Sequence, residues 1–189
     1  MVLLAVALAG MPSGAPTADE SVRQYLDETT AATVTVASEA LIFARERTDL
    51  AVNARDYISL TAIEVNRSGK RACFWYGYFW TTIDQHGGDP IVSGDDRIVL
   101  VADGRPILLR RSSASPRQLG IAAPPTTAPV RTAVAIMFPV DPEILDYVSE
   151  AGDLEVQIER TGLTEQFTLW RDARRELAQF VGQLDLQSR

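Results

Sequence analysis

A mainly antiparallel α+β fold, a sandwich or open barrel of about eight strands with one late helix and one C-terminal helix packed on the sheet, is predicted by three observations. Short runs rich in β-branched and aromatic residues recur along the chain, separated by turn signals. One of them, Ala72–Ile83 (ACFWYGYFWTTI), holds six of the fourteen aromatic residues. Two segments with helical spacing come late, one after Asp141 and one at the C-terminus. The aromatic run is the organising element. As a strand it places Phe74, Tyr76, Tyr78 and Trp80 on one face and Cys73, Trp75, Gly77 and Phe79 on the other. Neither face suits water, so the strand is expected to be central and covered on both sides.

Taken in order, the chain opens with the uncharged run MVLLAVALA, whose Ala7-Leu8-Ala9 end satisfies the small-x-small rule of signal-peptidase cleavage. No Lys or Arg precedes it and it is short, which fits a secretory signal whose start lies upstream. A lipobox would need Cys where Met11 stands, and the run is too short to span a membrane. Residues 1–18 therefore read as a truncated signal-like segment and linker, and residues 19–189 as a single β-rich domain. Thr17 and Glu20 have capping-box spacing, which predicts a short helix over Asp19–Thr29 with Val22, Tyr25 and Leu26 on one side. Thr33–Ala37 and Leu41–Glu46 read as strands. Arg55–Asn66 alternates, with Ile58, Leu60 and Ala62 on one face and mostly polar residues on the other. The turn signal at Asn66–Gly69 then predicts a hairpin with the aromatic strand.

Asp84–Asp96 is a polar, Gly-rich loop. Arg97–Ala102 and Arg105–Arg110 flank Asp103-Gly104, a sequence that supplies the positive φ angles of a tight hairpin. Residues 112–131 contain four prolines and are expected to form a long surface loop. Thr132–Phe138 reads as a buried strand, and Asp141-Pro142 as the N-cap and first residue of a helix ending near Gly152, with Leu145, Val148 and Ile144 inward. Leu154–Glu159 and Leu163–Leu169 form a further hairpin around Thr161-Gly162. The last helix, Arg171–Gln183, sets Ala173, Leu177, Phe180 and Leu184 at helical spacing.

Composition narrows the function classes. Twenty-five acidic against eighteen basic residues give a net charge of −7, which repels a phosphate backbone, so no nucleic-acid partner is expected. The single Cys73 forms no intramolecular disulfide and no multi-cysteine metal site, and inside a strand it reads as a small buried residue. No phosphate-binding loop or dinucleotide fingerprint occurs, and no cofactor is implied. No serine stands in a nucleophile elbow, and no catalytic residue is assigned.

Three features invite a functional reading beside an ordinary one. Tyr76, Tyr78 and Trp80 offer ring faces with polar tips to a ligand, although core packing also explains an aromatic run. Asp84, His86 and Asp89 gather oxygen and nitrogen donors in one loop, a cation-site pattern that matches no known calcium repeat and also suits a solvated loop. Glu64 is the one strand acid on an otherwise apolar stretch, and a solvent-facing position is its simplest reading. The chain as a whole reads as a non-catalytic periplasmic or secreted bacterial module that binds a protein or envelope component. The alternatives are a binder of a small apolar or sugar-like ligand on the aromatic sheet with the Pro-rich loop as lid, and a hydrolase using His86 and loop carboxylates.

Overall fold

The computed structural model describes residues 21–83, 95–160 and 162–187. Among the described residues, ten strands and two helices follow one another as β1 (Val22–Asp27), β2 (Ala32–Ala37), β3 (Leu41–Glu46), β4 (Arg55–Arg67), β5 (Lys70–Thr81), β6 (Arg97–Ala102), β7 (Arg105–Leu109), β8 (Val134–Val140), α1 (Pro142–Glu150), β9 (Leu154–Arg160), β10 (Leu163–Arg171) and α2 (Arg174–Gln187). Every strand pairing is antiparallel. The expected α+β architecture, a largely antiparallel sheet carrying a late and a C-terminal helix, is what forms. Among the described residues, no helix is long and apolar enough to cross a membrane.

The long β4–β5 hairpin is the spine. Its tight turn puts Ser68 and Gly69 at φ 52° and 81°, and twelve residues of β5 pair with β4 in unbroken register from Asp56↔Thr81 to Arg67↔Lys70. The other edge of β4 forks: residues 55–60 pair with β3, and residues 63–66 pair with β2. The β3 branch runs on through β10, β9 and β6 to β7, while β5 continues to β8. The backbone N–H of Ser112, just past β7, donates to the carbonyl of Met137 in β8 at 2.8 Å. Eight strands therefore curl into an open barrel, and β1–β2 forms a wing beside it.

Alternation along the spine sorts side chains into two cores. Ile58, Leu60, Ala62, Trp75 and Phe79 point into the barrel, where they meet Phe43, Leu100, Phe138, Val156, Ile158 and Phe167. Leu145 and Val148 of α1 and Leu177, Phe180 and Leu184 of α2 join the same cluster, so the helices cover one end of the barrel. The inward stripes expected of both helices are thereby filled. On the outer face Ile63, Val65, Phe74, Tyr76 and Tyr78 pack with Val34 and Val36 of the wing. The aromatic strand is buried on both sides, as its pattern predicts. The polar face expected for β4 is also covered: Ser59 and Thr61 are buried along with Ile63 and Val65.

The helix expected over Asp19–Thr29 does not form in the described residues. The segment 22–27 is a strand and not part of a helix, because pairing Val22↔Ala37 through Asp27↔Ala32 with the wing satisfies its backbone along β2. Leu26, assigned to an inward stripe, is 62% exposed as a result. Thr17 and Glu20, the source of the helical reading, lie outside the described residues. Asp141 does precede α1 with Pro142 in the first turn, but its side chain makes no capping hydrogen bond. Pro139, one residue beyond the expected end of the preceding strand, sits within β8, which pairs only with β5 and so tolerates a residue without an N–H.

Candidate functional site

The outer face of β5 is divided by residues 110–133, which cross it as a strap. Ile121 inserts into the outer core, and the strap backbone is pinned at four points. The backbone N–H of Ala122 donates to Asp27 Oδ2 at 2.6 Å, Thr30 Oγ1 donates to the Gly120 carbonyl at 2.7 Å, and Tyr78 donates through its hydroxyl to the Thr126 carbonyl at 2.9 Å. Arg23 donates to the Pro125 carbonyl. Gly120 holds φ +103°, and a Cβ there would lie 2.9 Å from Val65 Cγ1, so only glycine lets the strap come this close to the sheet. The Asp27 carboxylate also accepts from the N–H groups of Thr29 and Thr30. These bonds, the one from Ala122 foremost, hold its carboxyl below the usual carboxylate range. A strap tied in this way is a fixed cover, unlike the loose lid that a Pro-rich loop suggests.

Beneath it, Tyr76 and Tyr78 are buried, with ring centroids 5.3 Å apart and planes at 81°. Burial, followed by the hydrogen bond to Tyr78, pushes the Tyr76 hydroxyl well above its ordinary pKa. Two cavities of about 220 and 290 Å³ flank Pro116, and both are lined by Tyr76. Trp80 emerges beyond the strap and is half-buried. The three aromatic residues singled out from the sequence thus share a face, but two are enclosed and one lies at an open edge.

That edge continues into residues the sequence reading did not join. Tyr57 of β4 stacks on Trp80 across the hairpin at 5.1 Å with planes 13° apart, and it meets Trp170 of β10 edge-to-face at 6.2 Å. The β10 register slips between Leu169↔Phe43 and Arg171↔Ile42, so Trp170 is the extra residue of a β-bulge, a device that re-aims a side chain. The small Ala44 of β3 pairs with Tyr57 on one side and Thr168 on the other, leaving room for the two rings to approach above it. The Arg55 guanidinium lies 4.6 Å from the Trp170 ring centre and donates to Glu46 at 3.2 Å. Trp170 remains 57% exposed. Its outward parity with Gln166 and Thr168 is visible in the sequence, but its partners lie on strands more than a hundred residues away.

The inner face carries charge at both ends of the barrel. Where the helices pack, Glu64 is 2% exposed, against the solvent-facing position expected for it, because the fork of β4 and the C-terminal turns of α2 cover that end. Its carboxylate accepts from Arg71 Nε beside a cleft of about 600 Å³ lined also by Cys73, Asp141 and Leu184. Burial, reinforced by Glu64, pushes the Cys73 thiol up to about 11, consistent with an inert buried cysteine. At the opposite end, Asp56 Oδ2 accepts from Arg45 at 2.6 Å and Arg47 at 2.9 Å, Arg45 also pairs with Glu165 at 2.6 Å, and Arg160 pairs with Asp96 at 3.2 Å. These groups neutralise one another.

Asp84, His86 and Asp89, the candidate cation ligands, lie outside the described residues. Among the described residues, no three His, Cys, Asp or Glu side chains gather as a metal site. Around Trp170 the described surface brings rings, a guanidinium, an amide and a hydroxyl onto one strand face. The chain matches no protein-family model, no curated protein and no solved structure.

Proposed function

We propose that the chain is a non-catalytic binding module that works in the periplasm or medium of a bacterium, where it engages an envelope component. The observation that carries this reading is Trp170, the one aromatic side chain among the exposed large hydrophobics of the described residues, set outward by a bulge and held between Arg55 and Tyr57. An aromatic side chain held in that way marks an interaction site more than it does a packing defect. The signal-like start, MVLLAVALA, supports export. The test is expression from the native gene in the native host, followed by fractionation and intact mass. A mature chain in the periplasm or medium that is retained by cell-envelope material, with retention lost in Trp170→Ala, is the expected result. An uncleaved cytoplasmic chain would overturn the export reading.

A second reading is favoured by the paired cavities at Tyr76. Their lining sets Pro116, Ile121, Ile136 and Met137 beside Arg111 and Arg117, which suits a small, mainly apolar ligand with a polar end. Such a ligand should raise the melting temperature of the native chain, and replacing Ala135 by Leu to fill the space near Pro116 should abolish that shift.

A further inference from the structure

We propose that the row formed by Trp80, Tyr57 and Trp170 is a binding platform for an uncharged pyranose glycan; this rests on the reading of the chain as an exported binding module. The row crosses from β5 to β10 over β4 and β3, with ring centres 5.1 Å apart from Trp80 to Tyr57 and 6.2 Å apart from Tyr57 to Trp170, which is long enough to meet two adjoining sugars and not just one ring. Its members are held in place. The stacked Trp80 fixes Tyr57, Tyr57 meets Trp170 at right angles, and the bulge sets the Trp170 backbone. With Arg55 over its ring, Trp170 still keeps 57% of its surface in solvent.

The surroundings choose the ligand. Glu46, Gln166 and Thr168 are exposed on the same face, and with Arg55 they supply a carboxylate, an amide, a hydroxyl and a guanidinium around the rings. A pyranose matches this mixture, because its C–H face packs on an aromatic ring while its rim of hydroxyls donates to carboxylates and accepts from guanidinium and amide N–H groups. An acyl chain would desolvate the same polar groups without replacing their hydrogen bonds. Glu46 balances Arg55 locally, and the whole chain carries −7, so a polyanionic glycan or an anionic lipid surface is disfavoured and a neutral one is preferred.

Calorimetric titration of the full chain with cellotetraose, chitotetraose and maltotetraose tests the platform. Saturable binding of at least one is expected, with Trp170→Ala roughly tenfold weaker or worse and Trp170→Phe retaining most of the affinity. Trp170→Lys, which keeps a long soluble side chain without a ring, should also lose binding, and a melting temperature in both ring-less variants close to that of the native chain excludes loss through misfolding. No heat from any of the three at millimolar concentration, or equal affinity in the ring-less variants, overturns the platform. These titrations are made in vitro, so a negative result with a chain that is exported leaves the export reading standing, and a cytoplasmic chain that binds glycan leaves the platform standing.

Discussion

The guanidinium of Arg71 reaches diagonally across the β4–β5 hairpin to the carboxylate of Glu64, which the end of α2 screens from water. Glu64 is buried and Arg71 remains partly exposed, so removing the guanidinium leaves a desolvated carboxylate without its ion-pair partner. Arg71→Ala is therefore expected to cost about 3 kcal/mol in chemical denaturation, whereas the paired change Glu64→Leu with Arg71→Met should cost much less. Equal losses in both would show that packing, and not the ion pair, carries the effect.

At the other end of the barrel, Asp56 is 1% exposed and serves Arg45 and Arg47 at once. Asp56→Asn should destabilise by about 3 kcal/mol, since Arg45 and Arg47 would each keep only one acidic partner near a buried site. Asp49 pairs with the same Arg47 from the surface, where water screens the interaction, so Asp49→Ala should barely shift the urea midpoint.

Asp27 joins the wing to the strap and should give the protein part of its acid sensitivity. Its folded carboxyl lies below the unfolded value of about 3.9, so its contribution is present above that value and lost as pH falls through the folded one. Melting temperature measured from about pH 6 down to pH 3 should fall less steeply in Asp27→Asn than in the native chain, from a lower starting point. An unchanged slope would remove Asp27 from the acid limb.

Cys73 should resist alkylation. With its thiol raised to about 11 and its side chain packed beneath the Glu64 cleft, iodoacetamide at neutral pH is expected to leave the native mass unchanged and to add one label after denaturation. Labelling of the native chain within minutes would mean that this end of the barrel opens readily.

Much of the fold could be read in the chain because the signals were local. Asp103-Gly104 and the turn at Ser68-Gly69 demand positive φ angles, and the runs beside them alternate, so both hairpins follow from short-range geometry. The aromatic strand announced its double burial through composition alone. The segment at Val22 misled because a capping pattern is a weak local preference, and β2 outcompeted it with a full ladder of hydrogen bonds.

The site was less accessible for the same reason. Tyr76, Tyr78 and Trp80 were correctly grouped by alternation, but whether a face is open depends on what covers it, and the strap that encloses the first two comes from residues 110–133. Tyr57 and Trp170 meet only because β3 offers the small Ala44 between them and β10 bulges there. Glu64 became a buried ion because the helix end arrives from the far end of the chain. Sequence alone determined the strands other than β1, the tight hairpins and the two late helices, since these rest on periodicity and turn chemistry between near neighbours. Tertiary structure decided exposure, charge pairing and the line of rings, because each depends on how segments distant in sequence share one surface.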